Sequence, residues 1–498
     1  MHEIEHSDRP ANIIGIDLGT TETRVARFAE NGLPEMTNNV DGNPVTPSVI
    51  QIDDAGNVVI GSEAKKFLGC GVENVFAEFK QDIGTDRSWL AGATIVTPVT
   101  LTAMLLRKVV ADYAQQFGKP TAIAITWPAN FRNEQREATK TAARLAGLAN
   151  PMFTEEPVAA ALYYARSLTL QGKYLICDFG GTTFNVSIVE SRGDTIRVIY
   201  QDGVQQLGEK ALMNVLFRII GDKFRAKTGA EFDAVDCNFD KLAIESNFSA
   251  LCTRPAVQIR LTSGRHGPIV VEVSRAEFES GADHLFEQAE MACESALRCG
   301  HDDPARHTKK FEIKEVLLTG CAARVPAFQA SMQRLFGKAP KIEQPTHAVA
   351  MGAAIYAAHK YSAGTLTPLQ RRALTDINVT DVSPHCYGII HTNWLTGEST
   401  NVTVIRKGEK LPFSRTYKVN ADSRGYLPVL SLTQSAIEES HPDFVTRIWE
   451  GELHRCAPNA EIDVVFSYDA DGTMCFSVIE VATGKYTRVD LRPQSDER

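Results

Sequence analysis

Strand-like and helix-like apolar patterns alternate along the chain as far as residue 361. Compact apolar runs such as Ile14–Leu18, Ala122–Trp127 and Leu175–Phe179 predict buried strands. Apolar residues at helical spacing predict helices over 62–67, 98–117, 133–147, 158–165, 210–227, 241–251, 278–299 and 348–359. Strands that alternate with helices in this way indicate an α/β domain that covers 12–361.

The pattern changes after this domain. From 381 to 493, short segments alternate apolar and polar residues at the spacing typical of a β-sandwich. The predicted strands are 402–405, 416–419, 427–432, 444–449, 461–467, 473–481 and 486–491. Gly, Thr, Pro and mixed charges indicate an interdomain linker at 362–380, and we expect residues 1–11 and 494–498 to be tails.

Two glycine- and threonine-rich turns each follow a strand that ends in aspartate. Asp17–Val25 and Asp178–Val186 share the order aspartate, bulky residue, glycine and threonine, and each places a valine eight residues after the aspartate. Small residues let the backbone aim N–H groups at a phosphate, while the carboxylate can hold a metal ion through water. The repeat predicts two similar lobes whose turns face each other across one polyphosphate. Two unrelated hairpin turns are the alternative.

Composition excludes several other classes of protein. A formal charge of -9 without a long basic run argues against nucleic acid and anionic membranes as partners. The ten cysteines include no C-x-x-C pair, so neither a zinc ribbon nor a redox motif is indicated. No apolar run is long enough to cross a bilayer. We therefore expect a cytoplasmic protein that acts as a monomer.

The segment His2–His6 matches the H-E-x-x-H pattern of zinc proteases. That chemistry needs both histidines on one face of a well-supported helix. The motif lies at the start of the sequence, shortly before Pro10, so a frayed tail is the favoured interpretation.

Three further residues are candidates for chemistry. Lys80, taken alone, is most simply interpreted as a surface lysine. Glu156 begins a predicted helix, where a negative charge is favourable in any protein, but it could also order a water near a phosphate. Gly320 follows a buried strand and leads into a small-residue turn and a helix, a geometry that places an anion or a ribose at a helix N-terminus.

Together these motifs resemble the DnaK/heat-shock-70 chaperone family over essentially the whole chain. The matching runs are Gly15–Thr21, Glu156–Leu162, Asp178–Ser187, Gly352–Ala354, Asp381–Pro384 and Tyr468–Gly472. Actin and sugar kinases share the phosphate hairpins but not the sandwich. The resemblance implies an α/β fold with a two-lobed, actin-like ATPase domain, built on a ribonuclease-H-like repeat and followed by a small all-β, peptide-binding sandwich.

The resemblance also implies roles for individual residues. Asp17 and Asp178 would hold Mg²⁺ through water, and Lys80, with Glu156, would position the water that attacks the terminal phosphate of ATP. The implied catalytic residues are Lys80, Glu156, Asp178 and Thr183. The implied contacts to ATP or ADP are Asp17, Gly19, Thr20, Thr21, Gly180, Gly181, Thr182, Gly208, Glu245, Gly320, Ala322 and Arg324. A K⁺ ion would lie at the edge of the site, and Pro128 would relay the nucleotide state to the sandwich.

The chain departs from the family pattern around this site. Thr182, Glu209 and Cys321 stand where the family usually has Gly, and Asn185 and Thr346 stand where it usually has Asp. Met152 replaces an Arg that helps dock a J-domain cochaperone. Phe248 and Ser249 replace a Lys–Arg pair that sandwiches adenine. We also expect the family's helical lid to be absent. ATP binding is therefore predicted more firmly than normal turnover, and bound peptide is expected to exchange quickly.

We therefore expect a chaperone that hydrolyses ATP slowly and couples this to binding of unfolded or extended polypeptide, with a J-domain cochaperone and a nucleotide exchange factor as further partners. The alternative is a nucleotide-bound adaptor or regulator that hydrolyses little and binds one dedicated protein. A small-molecule kinase would leave the sandwich unexplained.

Overall fold

The computed structural model describes residues 11–68, 72–166, 171–192, 195–237, 239, 241–298, 307–361, 366–374, 378–379, 383, 385–392, 398–407, 409–421, 430–435, 438–451, 457–468 and 474–489. The His2–His6 motif, the predicted turn at 469–472 and the predicted tail at 494–498 lie outside these residues. Ala11, which we expected to belong to the N-terminal tail, is buried. The predicted N-terminal tail therefore does not include Ala11.

The first part of the chain forms a mixed main sheet, two smaller sheets and helices. Its elements are β1 (Ile13–Leu18), β2 (Glu22–Phe28), β3 (Pro34–Met36), β4 (Thr46–Pro47), β5 (Val49–Ile52), β6 (Val58–Ile60), α1 (Ser62–Lys65), β7 (Val75–Ala77), β8 (Trp89–Ala91), β9 (Thr94–Val96), α2 (Pro98–Phe117), β10 (Ala122–Trp127), α3 (Asn133–Leu145), β11 (Met152–Glu155) and α4 (Glu156–Tyr164). The strand order of the main sheet is β11-β10-β1-β2-β3, with β4 paired to β2, and the two smaller sheets are β6-β5-β7 and β8-β9. β1 runs antiparallel to β2 and parallel to β10.

The second part repeats this arrangement. Its elements are β12 (Gly172–Phe179), β13 (Thr183–Arg192), β14 (Thr195–Gln205), α5 (Glu209–Thr228), α6 (Lys241–Thr253), β15 (Ala256–Ser263), β16 (Gly267–Ser274), α7 (Arg275–Leu297), β17 (Ile313–Thr319), α8 (Pro326–Phe336) and α9 (Ala348–Lys360). β12 runs antiparallel to β13 and parallel to β17. Each sheet thus has a hairpin whose first strand also pairs with a parallel strand from later in the chain. The mixed α/β organisation is as predicted.

Helices α4 and α9 lie in one apolar core that includes residues of both sheets, among them Ile13 and Ile176. Their small side chains allow a very close approach. A Cβ atom added to Gly352 of α9 would lie 1.7 Å from the carbonyl oxygen of Ala159 in α4. Backbone contact at this distance fixes the position of the two helices, and through them the two sheets, relative to each other.

The region predicted as a linker is partly folded. Within its described residues, α10 (Pro368–Ala373) is followed by β18 (Asn378–Val379), which pairs in parallel with the start of β14. Thr367 caps α10 in a capping box, and the buried Gln370 side chain donates hydrogen bonds to the carbonyl oxygens of Phe28 and Ala29. The predicted interdomain linker thus includes a short helix and a short strand among its described residues, and the domain boundary stays a prediction. The Thr-Pro pair that starts the helix is a helix-start signal which sequence analysis missed.

The last part contains two four-stranded sheets. Its strands are β19 (Cys386–Thr392), β20 (Ser399–Ile405), β21 (Phe413–Asn420), β22 (Leu430–Ser435), β23 (Thr446–Gly451), β24 (Glu461–Tyr468), β25 (Met474–Glu480) and β26 (Lys485–Val489). The strand orders are β20-β19-β22-β23 and β21-β24-β25-β26. Ile389 and Leu432 of the first sheet share one apolar core with Phe466 and Phe476 of the second.

Candidate functional site

The two glycine- and threonine-rich turns meet in one cleft. A Cβ atom on Gly181 in the second turn would lie 2.3 Å from Oγ1 of Thr21 in the first. A side chain at this position would therefore push the turns apart. Asp17 and Asp178, one from each turn, border the same cavity.

Each aspartate has a threonine partner on the neighbouring parallel strand. Thr126 on β10 donates a hydrogen bond to Asp17 (Oγ1 to Oδ1, 3.4 Å), and Thr319 on β17 donates one to Asp178 (Oγ1 to Oδ1, 2.9 Å). Both threonine side chains are fully buried. Sequence analysis missed both, although each occurs near the end of a predicted strand that leads into the cleft. These partners fix the carboxyl groups at the strand ends.

The carboxyl groups of the cleft are costly to ionise without a counter-charge. Burial, with a further contribution from Glu156, raises the pKa of Asp17 to about 6 and that of Asp178 to about 7. Desolvation disfavours the charged form of a buried acid, and a neighbouring carboxylate adds repulsion. A cation at this position would relieve both effects.

Lys80 is buried in this cleft, so its interpretation as a surface lysine was wrong. Its Nζ donates hydrogen bonds to the carbonyl oxygen of Leu18 and to Oε1 of Glu156, the latter over 3.1 Å. Lys80 lies on a single turn of 3-10 helix that follows β7, and this turn directs the lysine inward. The pairing with Glu156 supplies the charge compensation that a buried ammonium group requires.

Most of the predicted site residues border this inner cavity. They are Asp17, Gly19, Thr20, Thr21, Lys80, Glu156, Asp178, Gly180, Gly181, Thr182, Thr183 and Gly320. The Oγ1 atom of Thr182 is buried and has no hydrogen-bond partner among the described residues. An unpaired buried hydroxyl is costly, so this atom is suited to a polar ligand in the cavity. The residues fit a phosphate group.

An outer cavity of about 320 Å³ continues the cleft. Glu245 and Arg324, which the family resemblance assigns to the adenosine end, both border it. Glu245 forms an ion pair with Lys65 (Oε2 to Nζ, 2.6 Å), which joins α6 to α1 across the cleft. Phe248 also borders this cavity, with its ring packed edge-on against Phe278 at a centroid distance of 5.8 Å.

Gly208 and Ala322, two of the residues predicted to contact the nucleotide, lie behind the surface of the cleft. A Cβ atom on Gly208 would lie 2.5 Å from the backbone nitrogen of Thr182, so Gly208 supports the second turn from behind. The side chain of Ala322 is fully buried in the core of the second part. Neither residue borders the two described cavities. Tight packing, rather than exposure to a ligand, explains the small side chain at both positions.

Glu209, next to Gly208, borders the outer cavity. Part of the residue is exposed, but its carboxyl group is enclosed by protein. Desolvation, with repulsion from Glu22, raises the pKa of Glu209 to about 7. This carboxyl group stands where the family resemblance implies a glycine, and it changes the charge of the cavity wall.

The described residues include no group of three or more His, Cys, Asp or Glu side chains that could hold a metal ion. Asp17 and Asp178 nevertheless fit an ion held through water and phosphate oxygens, because hard oxygen donors suit Mg²⁺ and their burial favours a nearby cation.

The cleft connects to the C-terminal sheets through Phe131. The Nζ of Lys80 lies 5.5 Å from the centroid of the Phe131 ring, and the carbonyl oxygen of Phe131 is 3.0 Å from Nε2 of His385. Arg136 donates a second hydrogen bond to the same carbonyl (Nε to O, 3.0 Å). His385 lies just before β19, so one residue touches both the cleft lysine and the last part of the chain.

A family model described as Hsp70 protein matches residues 13–497. The match covers nearly the whole chain, and it includes both turns, Lys80, Glu156 and all the strands of the C-terminal sheets.

Proposed function

This chain belongs to the Hsp70 family, and we propose that it is an ATP-dependent chaperone whose cleft binds ATP with Mg²⁺ and hydrolyses it slowly. One observation carries this proposal. Asp17, Asp178, Lys80 and Glu156, which lie far apart in the sequence, border one cavity lined by both glycine- and threonine-rich turns.

The proposed chemistry depends on position and charge, as phosphoryl transfer requires. The turn N–H groups and the Thr182 hydroxyl bind phosphate oxygens. Lys80 stabilises the charge on the terminal phosphoryl group, and Glu156 holds Lys80 in place and orders the attacking water. Bound Mg²⁺ would neutralise phosphate charge next to Asp17 and Asp178.

The C-terminal sheets form the proposed polypeptide-binding domain, attached to an actin-like ATPase domain. Contact through Phe131 and the pairing of β18 with β14 support coupling between the two. We propose an unfolded or extended polypeptide as the ligand of the sheets, with a J-domain protein and an exchange factor as partners. No helix among the described residues has the length and apolarity to span a membrane. We propose that the protein acts in the cytoplasm as a monomer.

A second candidate function is favoured by the outer cavity. Four glutamates border it: Glu22, Glu78, Glu209 and Glu245. Glu22, Glu78 and Glu245 pair with Arg24, Lys210 and Lys65, whereas Glu209 adds a carboxyl group where the family resemblance implies a glycine. When ionised, this added carboxyl group would oppose the charge of a bound polyphosphate, which would slow turnover or weaken binding. An adaptor that retains nucleotide without hydrolysing it, and binds one dedicated protein, is therefore the alternative.

Equilibrium binding of Mg-ATP and single-turnover hydrolysis test the proposal. We expect the wild type to bind and hydrolyse ATP, and Lys80→Ala to bind it but to lose about a hundredfold or more in rate. Lys310→Ala is the control, because Lys310 pairs with Glu294 at the surface (3.0 Å) and borders neither cavity. Binding without lysine-dependent hydrolysis would favour the adaptor. No binding of ATP or ADP would contradict both functions.

A further inference from the structure

The inner and outer cavities meet at a junction formed by residues that border both. The outer cavity carries Glu245 and Arg324, and the inner cavity carries Lys80 and Asp178. Six residues border both: Thr21, Glu22, Arg24, Gly181, Cys321 and Thr346. A ligand that occupies both cavities must pass these residues.

Arg24 is the one cationic side chain among those six residues, and it is buried with 8% of its surface exposed. It lies on β2 directly opposite Asp17 in the β1–β2 pairing. Its Nη2 pairs with Oε2 of Glu22 at 2.5 Å and lies 3.9 Å from Sγ of Cys321. Its Nε is buried and has no hydrogen-bond partner among the described residues.

This guanidinium is suited to a phosphate group. Arginine presents several N–H donors in a plane, which matches two oxygens of one phosphate, and Arg24 has a donor to spare. A nucleotide whose base lies in the outer cavity and whose terminal phosphate lies near Lys80 has the phosphates closest to its ribose at the junction. At this point Cys321 places a side chain where the family resemblance implies a glycine.

We propose that Arg24 binds the α- and β-phosphates of the nucleotide and makes a nucleoside di- or triphosphate, rather than a nucleoside, the preferred ligand of the cleft. This inference rests on the proposed nucleotide binding and adds the residue that recognises the phosphate chain. Glu22 pairs with the same guanidinium, so it competes with phosphate for Arg24. Removal of the Glu22 charge should therefore strengthen phosphate binding, whereas removal of Arg24 should weaken it.

Calorimetric binding of adenosine and ADP, each with Mg²⁺, tests this inference on the full chain. For Arg24→Met we expect ADP binding to weaken about ten- to a hundredfold, and adenosine binding to change less than about twofold. For Glu22→Gln we expect ADP binding to tighten about threefold or more. Arg27→Met is the matched control, since Arg27 lies on the same strand but pairs with Glu35 at the surface (2.7 Å).

The results separate three outcomes. Equal loss of adenosine and ADP binding in Arg24→Met, or unchanged ADP binding, would overturn the role of Arg24 while nucleotide binding stands. If Arg24→Met does not fold, Glu22→Gln decides, because weaker ADP binding in that variant would overturn the inference. A wild type that binds neither ligand would overturn this inference and the proposed function together.

Discussion

The Nζ of Lys80 lies 3.1 Å from Oε1 of Glu156, and the two side chains are 5% and 12% exposed. This largely buried ion pair stands beside Asp17 and Asp178, which are partly exposed to the cleft. Glu156 therefore has two electrostatic effects: it stabilises the ammonium group of Lys80, and it raises the pKa of both Asp17 and Asp178.

We predict that Glu156→Gln slows single-turnover ATP hydrolysis about ten- to a hundredfold, because Lys80 loses its charged partner and the attacking water loses its acceptor. ATP affinity should stay within about threefold of the wild type, since Lys80 remains free to bind phosphate. Rapid-quench kinetics and calorimetry measure the two effects. Glu35→Gln, which removes a surface ion pair with Arg27, should leave both unchanged. An unchanged hydrolysis rate in Glu156→Gln would exclude the proposed role.

Glu209 should make stability depend on pH. Because its pKa is raised to about 7 in the folded protein, the folded state retains a proton that the unfolded state releases from about pH 4.5 upward. The free energy of unfolding therefore falls as the pH rises from about 4.5 to about 7. Above pH 7, Glu209 causes no further change. We predict that Glu209→Gln nearly equals the wild type in urea unfolding at pH 4 and exceeds it by about 1 to 2 kcal/mol at pH 8. Glu63→Gln, at an exposed carboxylate, should show no such difference. Equal gains at both pH values would contradict this account.

A side chain at Gly352 should destabilise the protein, because α4 and α9 are in backbone contact there. Gly352→Ala forces a Cβ atom against the carbonyl oxygen of Ala159, and we expect a loss of about 2 to 3 kcal/mol in the free energy of unfolding. Gly221→Ala is a matched control within α5, because its Cβ would meet Phe232 at an ordinary 3.5 Å. That variant should be neutral or gain up to about 1 kcal/mol from helix propensity. Denaturant unfolding checks both, and similar effects would argue against the close helix contact.

His385 should hold the C-terminal sheets against the ATPase-like part at any pH near neutrality. Burial lowers the pKa of His385 to about 3, so its ring stays neutral from pH 5 to 8 and the contact to Phe131 does not titrate. We predict that His385→Ala accelerates tryptic cleavage between the two parts about threefold or more, because it removes a buried hydrogen bond of about 1 kcal/mol. The acceleration should be the same at pH 6 and pH 8. His266→Ala, in the β15–β16 hairpin, should cleave at the wild-type rate.

Local sequence determined the two phosphate-type turns and the elements around them. The helix over Pro98–Phe117 and the strand over Ala122–Trp127 have the predicted bounds, because apolar spacing and proline positions act within a few residues. The aspartates and glycines of the turns could be named in advance for the same reason. The conformation of these segments can be predicted because it depends mainly on residues close by in the sequence.

Apart from what the family resemblance implied, only the tertiary structure shows which distant side chains meet. Lys80 resembles any surface lysine until its 3-10 turn places it against Glu156, 76 positions later in the chain. Thr126 and Thr319 become partners of the aspartates only because parallel strands bring their ends together. Arg24 lies between two cavities that the sequence does not reveal. Such contacts depend on long-range packing, which leaves no periodic pattern in the sequence from which it could be predicted.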